Sequence, residues 1–168
     1  MVNTIKVTLP DGSVKEVAEN TTISEFVLEH IGEGLLRAAV AAKINDEVTE
    51  LTTRLTEDCK IAILTFRDDE GKKVYWHSSA HVLAIAVTRL FPEAKLTIGP
   101  PIEEGFYYDI ATDLSFSEEN FAALEAEMKK VVKEKLPFVR EVVSKEKAKE
   151  LFADNKYKLE LIEEYGDG

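Results

Sequence analysis

Thr4-Ile5-Lys6-Val7-Thr8-Leu9, followed by Pro10-Asp11-Gly12-Ser13 and then Val14 to Val17, is the stretch that decides the fold of the first half of the chain. Residues 4 to 9 alternate polar and apolar with period two, which turns every second side chain toward a core. Pro-Asp-Gly-Ser supplies turn chemistry before the next short run, so the segment reads as a β-hairpin. Working outward, Thr22 and Glu25 have the spacing of a capping box, and Ile23, Phe26, Val27 and Ile31 recur at helical intervals until Gly32. An apolar stretch from Ala38 to Ile44, a turn at Asn45-Asp46 and a strand at Ile61 to Phe66 follow. The order ββαβ with further strand predicts a β-grasp, ubiquitin-like domain over residues 1–66. Cys59 is the single cysteine, so it has no intramolecular disulfide partner, and its apolar neighbours predict a buried strand thiol without a catalytic role.

Asp68-Asp69-Glu70-Gly71-Lys72-Lys73 is charged, contains glycine and lacks periodicity, which predicts a linker over residues 67–73. A second α+β domain, incomplete and spanning 74–168, is expected beyond it. Trp76 to Phe91 is rich in helix formers and stops at Pro92, and Val82 to Val87 is apolar on nearly every side, predicting a buried helix. Leu96-Thr97-Ile98 and Phe106 to Ile110 read as paired strands separated by Gly99-Pro100-Pro101 and Gly105. Ser115 with Glu118, or Ser117 instead, is placed to cap a long helix through Met128 to about Glu134, ended by Leu136-Pro137. A strand around Phe138 to Val143 and a helix from Lys145 to Phe152 complete the pattern.

Formal charge is 21 − 32 = −11, with acid spread over both halves. Such a field repels polyanions, so nucleic-acid binding by this chain alone would need a local patch such as Lys129, Lys130, Lys133 and Lys135. A solvated helix face is the plainer reading of those lysines. No apolar run approaches the roughly 20 residues of a membrane span, and the N-terminus lacks a signal-peptide pattern, so a cytoplasmic protein without a membrane partner is expected.

His77 and His81 stand at i and i+4, so a helix places both imidazoles on one face, within reach of one ion. The pair by itself is a weak signal, and two hydrogen-bonded core histidines are the plainer alternative. A zincin peptidase would carry glutamate after the first histidine, whereas this chain has Ser78. His30 and Cys59 lie in the first domain, so the second cannot close a nitrogen and sulfur site by itself; carboxylates, water or sequence beyond Gly168 would have to complete it. Ser78 and Ser79 adjoin the histidines in sequence but point to other sides of a helix, which disfavours a serine nucleophile. There is no P-loop, no G-x-G-x-x-G and no G-x-S-x-G.

His77-Ser78-Ser79-Ala80-His81, Ile98-Gly99-Pro100-Pro101-Ile102-Glu103-Glu104-Gly105-Phe106-Tyr107-Tyr108-Asp109 and Tyr157-Lys158-Leu159-Glu160-Leu161-Ile162 resemble, in order and spacing, the editing domain of bacterial threonyl-tRNA synthetases. Residues 1–66 resemble the TGS domain of the same family. The resemblance implies an N-terminal fragment of an ATP-dependent threonine ligase, with His77 and His81 belonging to an editing centre that hydrolyses mischarged seryl-tRNA. It implies that this centre also uses a downstream Cys-x-x-x-His pair, absent here, as are the catalytic core and anticodon-binding domain. ATP, magnesium and zinc are then cofactors of the parent enzyme, with none expected on the fragment and His77 and His81 as possible metal ligands. The implied partner is tRNA, and the parent is expected to be a homodimer and the fragment a monomer, without aminoacylation activity of its own. Ser79 stands where members of the family often carry cysteine. A standalone β-grasp interaction module without catalysis and a freestanding hydrolase of mischarged tRNA are the competing readings.

Overall fold

The computed structural model describes residues 3–113 and 116–166. Two compact units divide the chain, residues 1–75 and 76–168.

In the first unit, β1 (Thr4–Thr8) pairs antiparallel with β2 (Val14–Ala18), with Ile5 opposite Val17 and Val7 opposite Lys15. Pro10 to Ser13 close the hairpin: Gly12 takes φ +83°, a left-handed conformation that glycine adopts without penalty, and Asp11 accepts bonds from the backbone and hydroxyl of Ser13. The helix α1 (Ile23–His30) begins as the spacing predicts. Thr22 accepts from the Glu25 amide while the Glu25 carboxylate accepts from the Thr22 amide, and together they satisfy two otherwise orphaned donors. A short helix, α2 (Glu33–Ala38), precedes β3 (Ala39–Ile44) and β4 (Glu47–Thr49). Asn45 and Asp46 both have positive φ, at 49° and 74°, in the two-residue turn between these strands, where this residue chemistry is favoured.

The closing strand β5 (Cys59–Thr65) runs parallel to β1 and antiparallel to β3, giving one mixed sheet of order β2-β1-β5-β3-β4. This is the β-grasp arrangement. Ile5, Val7, Val17, Ile23, Phe26, Val27, Ala42, Leu55 and Ile61 form one buried cluster between the sheet and α1. Cys59 belongs to it, and burial, reinforced by Asp58 and Glu57, pushes its thiol pKa up, so it stays an unreactive core thiol.

The charged stretch read as a linker is helical instead. Helix α3 (Asp69–Leu90) starts directly after Asp68, whose carboxylate accepts from the Thr65 amide and hydroxyl and whose carbonyl accepts from the Lys72 amide. Those bonds, and the Lys43–Glu70 ion pair at 2.8 Å, organise residues whose composition alone reads as loop.

In the second unit, α3 is not buried all round. Ala80, Ala84, Ala86 and Val87 are buried, but Val82 and Ile85 are half-buried and His77, His81 and Thr88 are exposed. The neighbouring strands are each two residues long: β6 (Lys95–Leu96) pairs with β9 (Ile110–Ala111), and β7 (Pro101–Ile102) with β8 (Gly105–Phe106). The expected pairing thus splits in two, because the Pro101–Phe106 segment folds back as its own hairpin. Helix α4 (Glu118–Glu134) is capped by Ser117 and Asn120; the alternative cap, Ser115, lies outside the described residues. Ala86, Val87 and Leu124 form the small core here, with Phe91 and Phe116 edge to face at 5.6 Å. Arg89 of α3 clamps Glu127 and Glu134 of α4 at 2.7–3.2 Å; Lys130 first and then Arg89 hold the Glu127 carboxyl below its ordinary range, and Arg89 does the same for Glu134.

The strand expected at Phe138 to Val143 is absent. These residues run irregularly and exposed between α4 and α5 (Lys145–Leu151), because a strand needs a neighbour to receive its amides and carbonyls. Tyr157 to Ile162 lie in a final helix, α6 (Lys156–Tyr165), capped by Asn155.

Candidate functional site

Helix α3 brings His77 and His81 together as their spacing requires. Their rings stand nearly perpendicular with centroids 4.7 Å apart, and the two Nε2 atoms are 3.1 Å from each other. At that separation one ring donates and the other accepts, so the pair holds at least one neutral imidazole. The second proton is opposed at His81, whose pKa is lowered by loss of solvent first and then by the charges of His77 and Lys158. The ring of Phe138 meets His81 edge to face, 6.0 Å between centroids.

His81 forms one wall of an open cleft of about 410 Å³. Ala84 and Thr88 continue the α3 wall, Leu96 and Tyr108 come from the β6 and β9 region, and Asn155 and Lys158 come from the start of α6. Asn155 fastens these parts together, since its side chain caps α6 through the amides of Tyr157 and Lys158 while donating to the Leu96 carbonyl at 2.7 Å. Desolvation lowers the Lys158 ammonium pKa and raises that of the Tyr108 phenol, so both sit in a partly dry environment. Gly99 lets the Tyr108 ring lie flat on the backbone: a Cβ there would fall 3.1 Å from the ring Cγ and closer still to Cδ2 and Cε2.

Zinc needs three or four donors at about 2.0–2.3 Å. The histidines supply two nitrogens at a separation close to the roughly 3.3 Å that tetrahedral ligands adopt. Among the described residues no group of three or more His, Cys, Asp or Glu side chains is assembled to hold an ion. His30 and Cys59 belong to the first unit, so the residues present do not complete a zinc site. Of the lysines on α4, Lys130 pairs with Glu127 and Lys129 and Lys133 are exposed, as is Lys135 just past its end, as a solvated face requires.

Reading the sequence finds the histidine pair but assigns no role to Lys158, Tyr108 or Asn155, although all but Asn155 fall within the segments that carried the resemblance. No helix among the described residues is long and apolar enough to cross a membrane.

Comparison with known proteins agrees with the fold. The TGS domain family matches residues 5–65. Across 97% of its length the chain is 46% identical to the threonine--tRNA ligase of Symbiobacterium thermophilum, across 94% it is 50% identical to that of Desulforamulus reducens, and across 95% it is 50% identical to that of Clostridium acetobutylicum. It spans about a quarter of the length of each of these relatives, 25% in all three cases.

Proposed function

With a TGS domain over residues 5–65 and kinship to threonine--tRNA ligases along nearly the whole chain as the premise, we propose that these residues are the N-terminal part of such a ligase and include half of its editing centre. The complete enzyme joins threonine to its tRNA with ATP and magnesium in the cytoplasm, as a homodimer, in parts of the polypeptide outside these 168 residues. The site on this chain serves the opposite reaction, hydrolysis of serine wrongly attached to that tRNA. Serine lacks one methyl group of threonine, and a missing methyl is worth only about 1 to 3 kcal/mol of discrimination, so a second, hydrolytic site is needed for accuracy.

The observation that carries this reading is the Nε2 contact between His77 and His81, the latter lining an open cleft of about 410 Å³, room enough for an aminoacyl group. A neutral His81 accepts a proton from a water aimed at the ester carbonyl carbon. The C–O ester bond breaks, serine leaves as the acid and the proton passes to the tRNA ribose oxygen. Lys158, which lines the same cleft, attracts the anionic 3′ end of the nucleic acid and stabilises negative charge on the carbonyl oxygen. Zinc, if carried by the complete enzyme, would take these histidines together with donors from elsewhere.

The test is made in the complete ligase. His77→Ala and His81→Ala should each slow deacylation of seryl-tRNA at least about 100-fold, the range general acid–base groups contribute, while threonine-dependent pyrophosphate exchange stays unchanged. Unaltered deacylation in both variants would refute the site, and robust pyrophosphate exchange by the 168-residue chain alone would refute its being a part without the ligase core.

A further inference from the structure

Helix α6 opens against its own electrostatics. The amides at a helix start carry partial positive charge, which favours acids there and opposes cations. Its first turn holds no acid and two lysines, Lys156 and Lys158. Lys156 is exposed, its ammonium 4.9 Å from the centroid of the Tyr157 ring. Lys158 is half-buried on the cleft instead, close enough for its charge to bear on His81. A cation that both burial and the helix start disfavour stays in place only if the backbone beneath it is held.

Asn155 holds it. Its Oδ1 accepts from the amides of Tyr157 and of Lys158 itself, both at 3.2 Å, and its Nδ2 donates to the Leu96 carbonyl at 2.7 Å, across 59 residues of chain. Capping alone does not call for asparagine, since serine and aspartate cap as well. A donor and an acceptor on one short planar group are what the amide adds. Leu96 stands opposite Ile110, and the Asp109 amide and carbonyl bond to Ile98 and Thr97, so the bridge ties the lysine to the strand pair that carries Tyr108. We propose that Asn155 is a positioning residue for the hydrolysis of seryl-tRNA, its bond to Leu96 fixing where the Lys158 ammonium meets the substrate. This rests on the reading of the cleft as an editing site. Asn155 touches no substrate; it acts through Lys158.

The test uses single-turnover deacylation of seryl-tRNA by the complete ligase. Asn155→Ser keeps a capping oxygen, but its hydroxyl stops one bond short of the Nδ2 position and the bridge is lost. The saturating rate should fall about 10- to 100-fold, as small misplacements of a reacting group do. The half-saturating enzyme concentration should stay unchanged, because most of a tRNA lies outside a cleft of about 410 Å³. Asn155→Ala, which loses the cap too, should unfold at a lower temperature than Asn155→Ser yet deacylate no more slowly. Lys158→Ala should cost about 100-fold or more, and adding Asn155→Ser to it should cost nothing further. Parental rates in Asn155→Ser would show that the cap is all that matters and overturn the proposal. Losses that multiply in the double variant would overturn it too, since Asn155 would then act by another route. His81→Ala separates the two levels of failure. If His81→Ala and Lys158→Ala slow deacylation and Asn155→Ser does not, only the positioning role is wrong; if none of the three slows it, the editing reading has failed as well.

Discussion

Gly71 provides a test in which two physical effects oppose each other in sign. It lies in the first turns of α3, where alanine ordinarily stabilises a helix relative to glycine by about 0.8–1.0 kcal/mol. Gly71 is buried, however, and a Cβ built on it would stand 2.8 Å from the Thr65 carbonyl carbon and nearer still to the oxygen. Ordinary carbon–carbon contact begins near 3.5 Å, so the helix start and the end of β5 must separate by about 0.7 Å or more. Neither side yields easily. Thr65 is the last residue of β5, and its amide and hydroxyl are bonded to Asp68 at 2.7 and 2.9 Å, while the neighbouring Glu70 is paired with Lys43. Overpacking of this kind costs about 1–3 kcal/mol. Because the clash is with rigid backbone and the oxygen is nearer still than the carbon, the cost lies at the upper end of that range, and subtracting the helix-propensity gain leaves a net loss of about 2 kcal/mol for Gly71→Ala. For a domain of this size that lowers Tm by about 4–8 °C per kcal/mol. Thermal unfolding of the two proteins under one buffer condition measures it. A variant as stable as the parent, or more so, would show that the contact between Gly71 and Thr65 is absent and that α3 does not begin where it is placed.

Gly99→Ala should push the Tyr108 ring out of its place on the cleft wall; the shift is read as a rise in Tyr108 solvent accessibility by side-chain NMR, with the first unit's resonances unmoved. In the capping box, Thr22→Ala should cost about 1 kcal/mol in urea unfolding. The same substitution should flatten the acid limb of the stability profile in part, because it removes the hydroxyl bond to Glu25 and keeps the amide bond. Bonds from the Thr22 amide and hydroxyl hold the Glu25 pKa below its ordinary value, so its contribution is complete above that value, about 4.3, and is lost as pH falls through the lowered one. An acid profile identical in parent and variant would contradict that account.

Most of the first unit is legible in the sequence because its signals are local. Alternation in residues 4 to 9, turn residues at Asp11-Gly12 and Asn45-Asp46, and the Thr22–Glu25 box each act within a few residues, and each appears where its chemistry puts it. The i, i+4 spacing likewise fixed the meeting of His77 and His81. What composition misjudged was decided by distant partners. Asp69 to Lys73 read as linker until Lys43, 27 residues away, binds Glu70 beside the local Thr65–Asp68 bonds. Phe138 to Val143 reads as strand, but a strand is a relation between two segments, and no described residue offers the second. The cleft beside His81 belongs to tertiary structure for the same reason: Tyr108 and Lys158 are remote from it along the chain, and Asn155 reaches across to Leu96 to bring α6 into place. Sequence determined which groups could act at short range; only the folded chain determined which of them stand together, because burial and pairing act between residues that the order of the chain keeps apart.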